Sequence, residues 1–239
     1  MFLTRNNQNE YLEWLANANE NGSFALIDKD KDWTSFDVVA KLRGTTRIKK
    51  VGHTGTLDPL ATGLLILCFG KATKKSNDYL GLPKEYRANV KLGATTKTDD
   101  SEADEENITN IDNISENRIR NTINSFVGKI MQKPPMFSAK KVKGQRLYKL
   151  ARKNESIEIE DIEVEIYLIE NIAIDLPNIY FDVKCSKGTY IRSLARDIGV
   201  KLGTGGYLYE LRRTKIGDYN ISDSLSVNEF VDLHKINKD

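Results

Sequence analysis

The 239-residue chain carries 36 Lys and Arg against 34 Asp and Glu, so it is heavily charged yet has a net charge of only +2. A uniformly basic coat is excluded, and any polyanion binding has to come from local segregation of charge. There is no run of 18 apolar residues and no leader-like start, and the two Cys and two His match neither a disulfide framework nor a zinc pattern. A soluble, cytoplasmic protein is expected.

Residues 1–22 are rich in Asn, with Tyr11, Leu12, Trp14 and Leu15 clustered among them. They read as an extension with one short docked helix and a linker at 19–22. Phe24 to Lys29 reads as a strand. Thr34, with Asp37 three residues on, is a capping-box pattern that predicts a helix over 35–43 ended by Gly44. Residues 40–52 hold five cations, Lys41, Arg43, Arg47, Lys49 and Lys50, and no acid.

The next stretch, Gly52-His53-Thr54-Gly55-Thr56-Leu57-Asp58-Pro59-Leu60-Ala61-Thr62-Gly63, has the glycines of a loop. The apolar run 64–69 after it predicts a strand buried on both faces. Pro59 biases Asp58 toward an extended backbone, so a carboxylate is presented at a fixed angle beside basic residues. A plain turn, with Asp first and Pro second, is the other reading of the pair. No Gly-Lys-Ser/Thr follows, which argues against a phosphate-binding P-loop.

Tyr86 to Leu92 alternates with period two, putting Tyr86, Ala88, Val90 and Leu92 on one strand face. Tyr86 is either a core residue or a ring at a pocket edge. Residues 99–117 hold eight acids and no base, the composition of a solvated face. Ser115 caps a predicted helix with Ile119, Ile123, Phe126 and Val127 on its core side, closed by Gly128. Residues 129–153 hold nine cations and no acid, with Phe137, Gln145 and Tyr148 interleaved. Cations that neutralise phosphate and rings that stack on unpaired bases make this a candidate nucleic-acid segment.

Strands are predicted over 162–174 and 179–185. Gly188 then turns the chain, and Thr189 is read as the cap of a helix with Leu194, Ile198 and Leu202 on its core face. Arg192 falls in the first turn of that helix. The dipole disfavours a cation there, so an anionic partner is expected. Residues 203–206 end the helix, and 207–213 form a last strand containing Leu211.

The 52–63 stretch resembles the signature of the TruB family of tRNA pseudouridine-55 synthases. The likeness continues through Lys84-Glu85-Tyr86-Arg87, Pro135-Met136-Phe137-Ser138-Ala139-Lys140, Cys185 to Arg192, and Leu211-Arg212-Arg213. It implies an α+β pseudouridine synthase fold, with a large, mixed, mostly antiparallel sheet, flanking helices and a central RNA-binding cleft. It implies isomerisation of the uridine at position 55 in the T arm of tRNA by base flipping, with no metal and no organic cofactor; separately, a monomer is expected. Asp58 matches the catalytic aspartate, Arg192 the arginine that pairs with it, and Tyr86 the tyrosine that stacks on the target base. His53, Tyr190 and Leu211 match positions that hold the flipped nucleotide. Lys29 and Lys74 match basic positions near the RNA backbone. Residues 129–153, with Lys140, Lys141, Lys143 and Arg146, match a mobile lid.

The expected division is an extension over 1–22 and a catalytic domain over 23–239. Three departures from the family pattern stand out. Asp30 follows Lys29 where many relatives have proline, the chain leaves no room for a C-terminal PUA domain, and the likeness does not cover residues 1–22. The competing reading from another class is a non-catalytic RNA-binding or RNA-folding module on the same scaffold.

Overall fold

A computed structural model describes residues 1–138 and 159–237, and the backbone of 141–142 and 145–146. In chain order the elements begin with β1 (Phe2–Leu3), α1 (Tyr11–Glu20), β2 (Ser23–Lys29), α2 (Ser35–Thr46), β3 (Val51–His53), β4 (Thr62–Phe69), α3 (Ser76–Leu80) and β5 (Lys84–Leu92). They continue with α4 (Glu116–Asn124), β6 (Gly128–Gln132), β7 (Ile162–Asp175), β8 (Asn178–Cys185), α5 (Ile191–Leu202), β9 (Gly206–Ile216), β10 (Leu225–Ser226) and α6 (Val227–Ile236). The strands form a large mixed sheet. The chain divides into a first unit, Met1–Tyr86 with Arg212–Asp239, and a second, Arg87–Leu211.

In the first unit β4 is the central strand. It pairs antiparallel with β2 and with β3, and in parallel with β9 at Arg212 and Arg213. Its unbroken apolar run follows from burial on both sides. Leu65, Leu67 and Phe69 join one core cluster, and Leu64, Ile66 and Cys68 another. Residues 1–22 pack into the first of these cores: Tyr11 and Trp14 are buried in it with Phe230. The Trp14 indole donates to the Phe24 carbonyl at 2.7 Å, and β1 adds to β2 in parallel.

In the second unit β7 pairs antiparallel with both β6 and β8. Ile179, Phe181, Val183 and Cys185 are buried as the alternation requires. So are Leu194, Ile198 and Leu202 on α5, which ends on Gly203 at φ 75.

Three boundaries differ from the sequence reading. Helix α2 runs through Gly44 to Thr46 and ends on Arg47 at φ 59. The Thr45 and Thr46 hydroxyls bond carbonyls one turn back, and buried Thr46 keeps the last turn on the core. Helix α4 is capped by Ser115 but stops at Asn124, which leaves Val127 exposed. Thr189 caps nothing: its hydroxyl turns back to the Ser186 carbonyl, and Tyr190 occupies the cap position.

Candidate active site

Asp58 sits on the loop between β3 and β4. The Ala61 N–H donates to the Asp58 carbonyl at 3.1 Å, closing a four-residue turn with Pro59 in second place. The turn reading and the functional reading therefore describe one structure: the turn fixes the backbone and leaves the carboxylate half-buried. The loop is held from three sides. Ser35, the first residue of α2, donates its hydroxyl to the Leu57 carbonyl at 3.1 Å and accepts the Leu57 N–H at 2.8 Å. Arg213, almost wholly buried, donates to the carbonyls of Leu64 (2.7 Å), Gly55 (3.2 Å) and Thr56 (3.5 Å). Gly63 lets β9 come this close, because a Cβ there would lie 2.3 Å from the Arg213 carbonyl oxygen.

Burial holds the Arg213 guanidinium below its ordinary pKa, and a hydrogen bond with the Tyr86 side chain works against that. Tyr86 and the Asp58 loop thus share one buried cation. Arg213 belonged to a recognised motif, but the sequence offered no reason to place it under the loop. His53, half-buried on β3, lies in the same neighbourhood. Burial, and then Arg213, hold its imidazole below the usual pKa, so it is neutral near pH 7.

Lys29 requires a correction. It is fully buried, so it offers no surface to an RNA phosphate. Its ammonium donates to the carbonyls of Trp33 (2.6 Å), Asp30 (2.9 Å) and Pro59 (3.3 Å), bracing the Asp58 turn from behind. Burial pushes it down from its ordinary 10.5 to about 8, while the nearby Asp58 carboxylate pulls it up. Between those values the unfolded chain keeps the proton and the folded chain has shed it. Stability owed to Lys29 is therefore full above about 10.5 and lost as pH falls through about 8. Urea unfolding of the parent and of Lys29→Met from pH 7 to 10.5 should show the difference shifting toward the parent by on the order of 3 kcal/mol. A difference that stays flat across that range would contradict this burial.

In the second unit Arg192 is buried in the first turn of α5, where it forms an ion pair with Asp100. One terminal nitrogen reaches Asp100 Oδ2 and the Thr98 carbonyl, each at 3.2 Å; the other reaches the Phe137 carbonyl at 2.8 Å. Asp100 is itself buried. Its other carboxylate oxygen accepts the Thr98 hydroxyl at 2.5 Å and the Glu102 N–H at 3.1 Å. The sequence reading lost Asp100 inside an acidic block taken as a solvated face. The Thr residues at 95, 96 and 98, rich in short-range donors, were the available signal.

Tyr190 is half-buried at the start of α5, and Leu211 is buried on β9. Lys74 is exposed in the 3-10 turn Gly70–Lys75 of the first unit. Lys140 and Lys143 lie outside the described residues. Lys141 and Arg146 are described by backbone alone, on a two-stranded ribbon pairing Lys141–Val142 with Gln145–Arg146. The first unit thus gathers Asp58, His53 and Tyr86 around Arg213, while Arg192, Tyr190 and Leu211 belong to the second.

The family model for TruB family pseudouridylate synthases (N-terminal domain) matches residues 43–191, and that for the tRNA pseudouridylate synthase B C-terminal domain matches 192–239. The chain belongs to the TruB family. The tRNA pseudouridine synthase B of Clostridium tetani is 50% identical over 203 residues, covering 85% of this chain and 70% of the relative. That of Flavobacterium johnsoniae is 46% identical over 228 residues, covering 92% and 96%. Among solved structures, one of a Cbf5-Nop10-Gar1 complex superposes with a TM-score of 0.74 at 28% identity, covering 94% of this chain and 58% of that one. The pseudouridine synthase fold expected from the sequence is the fold found. Asp58, Tyr86 and Tyr190 lie within the N-terminal TruB match and Arg192 opens the C-terminal one, whereas Lys29 precedes both. Among the described residues no helix is long and apolar enough to cross a membrane.

Proposed function

We propose that this chain isomerises uridine to pseudouridine at position 55, in the T arm of tRNA, with Asp58 as the essential group. The enzyme is a tRNA pseudouridine synthase, and the finer assignment rests on one observation above all. The Asp58 turn is fixed by Ser35, Lys29 and Arg213 acting on the carbonyls around it, inside the glycine-patterned motif that marks the family. Buried cations spent on holding one loop's backbone suit a carboxylate whose position matters.

The isomerisation breaks the N1–C1′ bond, turns the base and joins C5 to C1′, with the C5 proton lost and one gained at N1. An ionised carboxylate beside the sugar acts as nucleophile, as base or as stabiliser of a cationic sugar, and each of these roles would fall to Asp58. Tyr86 takes the base face, and His53, Tyr190 and Leu211 hold the extruded nucleotide, offsetting part of the stacking lost on flipping. Arg192 completes the catalytic set.

The backbone of the RNA is assigned to Lys74 and to the 129–153 segment with Lys140, Lys141, Lys143 and Arg146. Replacing Lys140, Lys141 and Lys143 together with Ala should flatten the dependence of log K on log[salt] by roughly two to three units, at about 0.7–0.9 per phosphate contact. Deleting residues 1–20, which carry one Arg and three Glu, should leave the slope unchanged. Filter binding across a salt series compares the two, and a parental slope in the triple variant contradicts the assignment.

The function itself is tested by tritium release from [5-³H]uridine-labelled tRNA transcripts. Release is expected from transcripts with the T-loop uridine and absent when that uridine alone is replaced by cytidine. Equal release from both would refute the site.

A further inference from the structure

Gln132, the last residue of β6, is a fully buried polar side chain with a specific pair of partners. Its Nε2 donates to the Tyr190 carbonyl at 3.1 Å, and its Oε1 accepts the Tyr190 N–H at 2.8 Å. The side-chain amide thus meets one residue's main chain at two points, as another peptide would. Tyr190 is the cap residue of α5 yet makes no side-chain cap bond. Gln132 therefore bonds the main chain at the point where it enters the helix.

The neighbouring bonds run between the same two segments. The Lys133 carbonyl accepts the Ser193 hydroxyl at 2.8 Å and an Arg196 nitrogen at 3.0 Å, and the Phe137 carbonyl accepts Arg192 at 2.8 Å. Two of the residues so placed, Tyr190 and Arg192, are among those the second unit contributes to the proposed reaction, with Leu211.

We infer that Gln132 is a positioning residue for that reaction: its amide fixes the Tyr190 backbone and, through it, the Tyr190 ring and the Arg192 guanidinium. The inference rests on the functional reading above. The residue type follows from the geometry. A carboxamide carries a donor and an acceptor side by side on one rigid plane whatever the pH, and Asn would be a methylene too short. The Tyr190 carbonyl also accepts the Leu194 N–H at 3.1 Å, so Gln132 adds a second, lateral bond to a carbonyl that already belongs to the helix.

Two variants separate positioning from general stability. Gln132→Met keeps the length and removes both hydrogen bonds, while Gln132→Glu, assayed up to a pH at which its carboxyl is ionised, keeps the acceptor and removes the donor. Single-turnover pseudouridine formation, tRNA affinity and melting temperature are measured for each, with the rate assay well below each melting point. The Met variant should lose about thirtyfold in the chemical rate, and the Glu variant about tenfold, with tRNA affinity kept within about threefold of the parent. Should the Met protein fail to fold, the Glu protein decides the matter. A parental rate in either folded variant overturns the inference, as does a loss carried entirely by tRNA affinity. A parent that forms no pseudouridine overturns the functional reading and this inference together.

Discussion

Asp58→Asn is expected to reduce pseudouridine formation at least about a thousandfold, the scale for removing an essential acid–base or nucleophilic carboxylate. Its affinity for tRNA should hold or rise. The change is nearly isosteric, and the Ala61 N–H bond that closes the turn goes to the main-chain carbonyl, which the variant keeps. It also removes a negative charge from a site that meets a polyanion. The Asp58 carboxylate does more than any other charge to hold the Lys29 proton in place, so the variant's Lys29 should titrate lower still. Rates from tritium release and affinities from filter binding separate the two effects. Turnover within tenfold of the parent would show that Asp58 is not the essential group.

Arg192→Lys is expected to keep the charge yet lose most of the activity, by about a hundredfold. The guanidinium bonds acceptors on two segments, among them the Asp100 carboxylate and the Thr98 carbonyl on one and the Phe137 carbonyl on the other. An ammonium on a flexible stem is a point donor and does not reproduce that fork. Whichever acceptor lysine abandons is left buried, and an unpaired Asp100 would cost about 3–5 kcal/mol. Thermal unfolding should therefore report a lower melting temperature alongside the activity loss. A lysine variant with parental rate and stability would mean that this network has no part in placing the helix.

The parts of this site legible in the sequence were those with local cause. The Asp-Pro turn, the doubly buried run of β4 and the core stripe of α5 each follow from spacing alone. Arg213 and Asp100 were not legible as partners, because what they do depends on segments far away in the chain: β9 beside β4, and the 98–102 segment beside α5. Lys29 was misread for the same reason. Its place near the RNA backbone came from the family likeness, and the carbonyls of Asp30, Trp33 and Pro59 that converge on it are set by the fold rather than by the strand it ends. The short β3 strand escaped notice because three residues with a glycine carry no periodicity, although they pair in register with Phe69, Cys68 and Leu67.

Site-resolved mapping of pseudouridine in a tRNA transcript tests the central claim most directly. An unmodified transcript is incubated with the parent and with Asp58→Asn, and each uridine is read by carbodiimide-dependent reverse-transcription stops. The parent should convert position 55 and leave the other uridines unchanged, and the Asn variant should convert none. Modification at another position in place of 55, or conversion of 55 by the Asn variant at the parental rate, would contradict the account.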